Sequence, residues 1–390
     1  MNKKKAARRM DNVQASKMSR LLGEAKRLKA QGAEIIDLAL GTPDYAAPAW
    51  LLSVAQGKIA AGYNGYGDSK GSITLRDAVS CNFAETQGVH YNPESEVTIT
   101  AGASSALCAV IHSLLNPRDG VLVFEPYYEN FIPLLRFAGV TPQFVSLNPS
   151  DWSIDFNKLE KRVRPNTRAI LVNSPHNPTG RVFTADELQR LAEFCQKHDL
   201  LVISDEAYGP FTYEQAHMSI AALAGMKERT VVLTSVSKTL NVAGWRVGSV
   251  LAPAELSDPI RRANGITMGA PTPLQEACAE AFPYLEAFCQ EQRWSHKALR
   301  DELVTALQDA GMKVLAPEGT FSVLAALPAG SFADGDSAQA ELLKRVGILT
   351  VSGDSFFSKK QSTAYLRFSF ARSPETIHAA VRQLSKLKLS

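Results

Sequence analysis

The chain has 390 residues, of which 45% are hydrophobic and 21% charged, and its formal net charge is +3. This length exceeds one ordinary domain and can bury a large core, and the composition is that of a soluble globular protein, not a disordered or fibrous one. A charge so near balance gives no reason to expect a nucleic acid partner, and without an unbroken apolar run of about eighteen residues no membrane span is expected.

Near the amino end, Lys3, Lys4, Lys5, Arg8 and Arg9 form the one basic run. No apolar stretch follows it, so it reads as a solvated, frayed terminus and not as a secretory signal. Residues 18–30 have helical apolar spacing and predict an amphipathic helix. The sequence Ile-Ile-Asp-Leu-Ala-Leu-Gly-Thr-Pro-Asp follows at 35–44, and a glycine-punctuated loop begins at Tyr66. Residues 98–107 read as a strand, a turn of small residues including Gly102, Ala103 and Ser104, and a helix running to about Leu115. Glu-Pro-Tyr-Tyr stands at 125–128.

Three apolar runs, 168–173, 200–204 and 230–234, predict buried strands with helical patterns between them. The first breaks into Ser-Pro-His-Asn-Pro-Thr-Gly at 174–180, the second into Asp-Glu-Ala-Tyr at 205–208, the third into Ser-Val-Ser-Lys-Thr-Leu-Asn at 235–241. Gly-Trp-Arg-Val-Gly follows at 244–248. Polar residues therefore stand just past the carboxyl ends of successive strands, the edge where open parallel sheets bind ligands. Residues 275–309 predict one or two long helices, and short strands are expected at 314–315, 321–324 and 365–368. Cys81, Cys108, Cys195, Cys278 and Cys289 form no C-x-x-C pair, and no histidine cluster has metal-ligand spacing. They read as free thiols in a reducing, cytoplasmic setting, and no metal is expected.

Lys238 is the most informative residue. A lysine amine forms a Schiff base with a carbonyl and becomes reactive when its surroundings lower its pKa. Ser235, Ser237 and Arg246 beside it are phosphate-binding types, and the turn at 102–104 adds backbone amides at a helix start. The combination reads as the anchor of a phosphorylated aldehyde. Arg367 lies on a strand between Leu366 and Phe368, where an unused charge would be expensive to bury. Taken singly, each residue has an ordinary alternative. Lys238 could be a surface lysine, Asp205 a helix cap, Asn-Pro-Thr-Gly a plain turn, Tyr128 core packing, Tyr66 an exposed loop residue and Arg367 an edge-strand residue in solvent.

Five such motifs in this order and spacing resemble the class I/II aminotransferases of the fold-type I pyridoxal phosphate enzymes, from about Ile35 to Ala371. The resemblance implies an α/β fold: a large domain, residues 47–284, with a mostly parallel sheet sandwiched by helices, and a smaller α+β domain from residues 1–46 and 285–390. It implies pyridoxal 5′-phosphate on Lys238, with Asp205 at the pyridine nitrogen and Asn177 and Tyr208 at the phenolic oxygen. Tyr128 would stack on the ring, and Gly102, Ala103, Ser104, Ser235, Ser237 and Arg246 would surround the phosphate. Tyr66 would reach the phosphate of the other subunit in a homodimer with shared sites. Arg367 would grip the substrate α-carboxylate with two parallel hydrogen bonds, beside Gly41 and Asn177.

The implied reaction moves an amino group from an L-amino acid to a 2-oxo acid by ping-pong kinetics, with Lys238, Asp205 and Tyr208 catalytic. The same site would serve a lyase or an oxidative deaminase, and a metabolite-sensing regulator without turnover is a further reading. Side-chain selection would fall to residues 16–20, Tyr66, Tyr128 and 266–271, from the same chain or from the partner subunit, where Gly269 and Ala270 imply a roomy pocket. Lys17 and Arg20 would there be surface charges or partners for an acidic side chain. Cis peptides are expected at Glu125-Pro126 and Asn177-Pro178, and closure of the small domain would carry Arg367 and Gly41 inward.

Overall fold

Apolar strands alternating with amphipathic helices build one seven-stranded sheet in a computed structural model that describes residues 7–13, 17–267 and 269–389. In chain order the strands are β1 (Ile36–Asp37), β2 (Val97–Thr100), β3 (Gly120–Glu125), β4 (Thr141–Ser146), β5 (Thr167–Asn173), β6 (Leu201–Asp205), β7 (Thr230–Ser235), β8 (Gly248–Leu251), β9 (Lys313–Val314), β10 (Ser322–Ala326), β11 (Ile348–Leu349), β12 (Val351–Ser352) and β13 (Tyr365–Ser369). The large sheet has the order β2-β8-β7-β6-β5-β3-β4; β8 is antiparallel to both neighbours and every other pair is parallel. The chain steps outward from β3 to β4, then returns to place β5 on the other side of β3. Connections leaving in opposite directions open a crevice at the carboxyl edge there.

Strand pleating sends alternate residues of β5 to opposite faces. Ala169 and Leu171 join one apolar cluster with Leu107, Val110 and Ile203. Ile170 and Val172 join another with Leu188, Leu191 and Val202. Burial on both faces explains why β5, β6 and β7 read as continuous apolar runs. Helix Ala185–Lys197 covers one face with Leu188, Leu191, Ala192 and Cys195, the spacing of a single helical stripe. Thr184 and Glu187 start it as a reciprocal capping box, Glu187 N–H donating to Thr184 Oγ1 at 3.2 Å and Thr184 N–H to Glu187 Oε2 at 2.9 Å. Each fully buried leucine on that stripe contributes about 1.5–3 kcal/mol, so Leu191→Asp would detach the helix. Helix Ala103–Leu114 packs on the opposite face against helix Ala254–Ile266.

The second sheet has the antiparallel order β12-β13-β10-β9. Its core includes Val323, Ala325, Leu366 and Phe368 with Leu299, Leu303 and Leu307 of helix Leu285–Asp309. The stretch read as one or two long helices is two, Thr272–Ala281 and Leu285–Asp309, separated by a single 3-10 turn. β1 pairs in parallel with β11, and the chain beyond β1 runs beside β13, where Ser369 N–H donates to Leu38 O at 2.7 Å. Glu125-Pro126 and Asn177-Pro178 are cis as expected, and so is Ser174-Pro175, which sequence did not suggest. No helix among the described residues is long and apolar enough to cross a membrane.

Candidate active site

Parallel register brings the ends of the three central strands together. Asn173 of β5 stands opposite Asp205 of β6, and Asp205 opposite Leu233 of β7. Past β7, Ser235 Oγ accepts the Ser237 N–H at 3.2 Å and starts the single turn Val236–Thr239 that carries Lys238. A cavity of about 240 Å³ opens at this edge, and Gly41, Ala103, Ser104, Tyr128, Asn177, Asp205, Tyr208, Ser235, Ser237, Lys238, Arg246 and Arg367 all contribute to its wall.

Lys238 Nζ donates to Gly41 O and lies 5.8 Å from the centre of the Tyr208 ring. Burial, then the charges of Arg367, Arg246 and Arg372, lowers its pKa from 10.5 to about 8. A β-carbon at Gly41 would stand 3.6 Å from the Tyr208 hydroxyl and 3.9 Å from Nζ, ordinary contact distances that put this backbone against both groups. The Tyr208 hydroxyl is itself pushed up by burial, so it stays protonated.

On the opposite side burial raises Asp205 to about 6; the Ala207 N–H opposes that shift, and the neighbouring Glu206 charge adds to it. Asn173 ties two strands together, donating from Nδ2 to Asp205 O at 2.9 Å and accepting the Asn177 N–H at 2.8 Å. Asn177 Oδ1 in turn accepts from Arg367 Nη1 at 3.0 Å, which leaves its amide NH₂ as the donor toward the cavity. His176, buried, is lowered to about 3 and stays neutral, its Nδ1 2.7 Å from Thr179 Oγ1. Tyr128 lines the cavity while Tyr127 packs into the core, its ring centre 5.6 Å from that of Phe144.

At the far end, helix Ala103–Leu114 points its first amides at the cavity. Gly102 precedes it with φ +82°, and a β-carbon there would run into the Arg246 guanidinium. Arg246 donates to Ala243 O at 2.9 Å and to Ala101 O at 3.2 Å, which fixes the fork against the helix start. Ser237 Oγ is buried without a partner, whereas the Ser235 hydroxyl is already used as a cap and donates to Val247 O at 3.3 Å.

Sequence reasoning missed Arg372. This arginine, 2% exposed, donates to Asp37 O and Leu40 O at 2.6 Å each and to Thr42 O at 2.8 Å. Arg367 Nη2 reaches Ala39 O at 3.3 Å, so two arginines on one side pin the strap 37–42 that presents Gly41 to Lys238. Tyr66, 93% exposed, lies outside this cavity. Gly269 and Ala270 do not line this chain's cavity. Ala270 is buried, and Gly269 packs near Asn264 and Ile99 O. Lys3, Lys4, Lys5, Met268 and the side chains of Lys17 and Arg20 lie outside the described residues. Among the described residues no group of His, Cys, Asp and Glu could hold a metal ion.

Residues 33–384 match the family Aminotransferase class I and II. The chain belongs to that family. A probable N-succinyldiaminopimelate aminotransferase of Mycobacterium tuberculosis is 34% identical over 365 residues, 90% of this chain and 92% of that protein. The aspartate/prephenate aminotransferase of Thermus thermophilus is 29% identical over 386 residues, 98% of each chain. The solved structure of N-succinyldiaminopimelate aminotransferase from Mycobacterium tuberculosis superimposes with a TM-score of 0.93 at 32% identity, covering 98% of this chain and 99% of that one. This protein is therefore an aminotransferase, a transferase of amino groups, with full-length relatives that differ in substrate.

Proposed function

We propose that the cavity at the carboxyl edge binds pyridoxal 5′-phosphate and that the aminotransferase uses it to pass the amino group of an L-amino acid to a 2-oxo acid. The observation that carries this reading is a half-buried amine with a lowered pKa, Lys238, and a buried carboxylate, Asp205, lining one cavity. The residues present fit the group. Ser237 Oγ, buried and unpartnered, has a proton to give a phosphate oxygen; Arg246 and the amides of Ala103 and Ser104 supply charge and donors beside it. Asp205 suits a protonated ring nitrogen, Tyr128 a ring face, and the Asn177 amide and Tyr208 hydroxyl a phenolic oxygen.

Bound there, pyridoxal phosphate supplies an aldehyde carbon for the Lys238 amine and a ring that accepts the electron pair left when the substrate Cα–H bond breaks. Arg367 uses one hydrogen of Nη1 and one of Nη2 within the protein, and the remaining pair forms a fork for the substrate α-carboxylate. Lys238 Nζ, near neutrality in basicity, takes and returns the Cα proton. Gly41 O accepts from that amine, and the Tyr208 ring stands beside it.

The division into a large domain, residues 47–284, and a smaller one from 1–46 and 285–390 belongs to the same proposal, with Arg367 and the strap 37–42 moving together on closure. An exposed Tyr66 outside its own cavity suits donation to a second copy in a homodimer. Free cysteines suit a reducing, cytoplasmic location. The test is an absorption spectrum of the purified protein titrated with L-amino acids in the absence of a 2-oxo acid. A yellow band that bleaches, returns on adding a 2-oxo acid and yields no ammonia supports the reading. A protein that stays colourless after addition of pyridoxal phosphate refutes it.

A further inference from the structure

We propose that Glu206 is a positioning residue for Asp205: fastened on the far face of the sheet, it fixes the Asp205 carboxylate and strengthens its hold on a ring-nitrogen proton. The proposal rests on the pyridoxal phosphate reading of the cavity. Asp205 lines the cavity of Lys238, whereas Glu206 lines a separate cavity of about 500 Å³. Its side chain is 3% exposed. Ser204 and Ser219 each donate a hydroxyl to Oε1 at 2.7 Å, and His217 Nε2 lies 2.9 Å from Oε2.

The peptide joining the two acids is held at both ends. The Glu206 N–H donates to Leu233 O at 2.9 Å, and Asp205 O accepts from Asn173 Nδ2 at 2.9 Å and from the Ser174 N–H at 3.3 Å. The Asp205 backbone cannot shift without breaking contacts to the strands on either side and releasing the buried Glu206, and the Ala207 N–H next to Glu206 donates to Asp205 Oδ1 at 3.2 Å. Nothing in the mechanism uses Glu206, yet its carboxylate accepts two hydroxyl hydrogen bonds and meets a histidine ring nitrogen.

Only the Nε2 of His217 meets Glu206, and its Nδ1 is buried without a hydrogen-bond partner. Tyr91, the other ionisable group close by, is pushed up by burial first and by Glu206 next, and stays neutral. Glu214, Glu286 and Arg293 line the same cavity but have their own ion pairs, Glu214 with Arg300 and Lys297, Glu286 with Arg293. Glu206 thus places a negative charge one residue from Asp205. By Coulomb sign it favours any proton that Asp205 shares with a ring nitrogen.

The experiment reconstitutes wild type, Glu206→Gln, Asp205→Asn and the double variant with cofactor labelled with ¹⁵N at the ring nitrogen, and follows that resonance with pH together with cofactor affinity. Glu206→Gln should lower the pH at which the ring nitrogen loses its proton by about one unit, a tenfold loss of proton affinity. Cofactor binding should weaken several-fold, and both effects should vanish in the Asp205→Asn background. A Glu206→Gln protein with the wild-type titration and affinity overturns the proposal, as does an equal effect without Asp205. Should Glu206→Gln not fold, Ser219→Ala, which removes one donor, should move the titration the same way by less; no movement overturns the proposal. Wild type that takes up no cofactor overturns the functional reading as well.

Discussion

Replacing Lys238 with methionine should stabilise the cofactor-free protein by an amount that falls as pH rises. The folded amine has a pKa of about 8 against an ordinary 10.5, because burial and then Arg367, Arg246 and Arg372 disfavour its charge. Between those values the unfolded chain binds a proton that the folded chain does not, so wild-type stability rises with pH by about 1.4 kcal/mol per unit. Below the folded pKa both states are protonated and the full penalty of about 3 kcal/mol applies; above the unfolded pKa both are neutral and it is gone. Methionine has similar length and no charge, so it never incurs the penalty, though it forgoes the bond to Gly41 O. The stability advantage of Lys238→Met should therefore be about 3 kcal/mol larger at pH 7 than at pH 10.5, whatever its absolute value. Urea unfolding of both cofactor-free proteins across that range, in buffers without phosphate or carboxylate, measures it. Added phosphate should shrink the difference by neutralising Arg246. An advantage that stays constant with pH would show that the amine is not held in this cationic, desolvated setting.

Three further substitutions separate parts of the site. Gly102→Ala forces a side chain into a left-handed backbone position against Arg246, and should weaken cofactor binding at least about tenfold while costing about 1–2 kcal/mol of stability; unchanged affinity would refute the contact. Ser237→Ala removes a hydroxyl that has no partner in the protein, so unfolding of the cofactor-free protein should move by less than about 0.5 kcal/mol while cofactor affinity drops by about 1 kcal/mol. The reverse ordering, stability lost and affinity kept, would make Ser237 a folding residue. Arg372→Met strips a charged donor from three carbonyls of the strap, and should cost about 3–5 kcal/mol in denaturant unfolding and raise KM for the amino acid more than it lowers kcat. Wild-type KM in a folded Arg372→Met enzyme would show that the strap needs no clamp.

What the sequence made legible follows from how far each signal reaches along the chain. Central strands are buried on both faces, so their apolar runs end within a residue of the observed β5, β6 and β7. Motif residues follow those runs directly, and strand register then assembles them, as Asn173 opposite Asp205 illustrates. Arg372 left no such trace because its acceptors are main-chain carbonyls more than 300 residues away, and a carbonyl is the same on every residue type. Glu206 was visible only as the companion of Asp205, since its partners Ser219 and His217 come from a loop without periodic pattern. Gly269 and Ala270 carry an ambiguous signal for a related reason: small residues mark close packing as readily as open space, and within this chain Ala270 is buried.

The same distinction explains the charge of the site. Strand patterning delivers one acid, Asp205, but tertiary packing adds the buried Arg367 and Arg372 and the exposed Arg246 around the half-buried Lys238, and gathering four like-charged groups opposes folding. Backbone carbonyls absorb part of that cost, five from the strap 37–42 and two beside Arg246. The remainder favours anions. Under the proposed function, a phosphate at one end and a carboxylate at the other would relieve that repulsion, so the cavity would select doubly anionic contents before the substrate's own side chain is read.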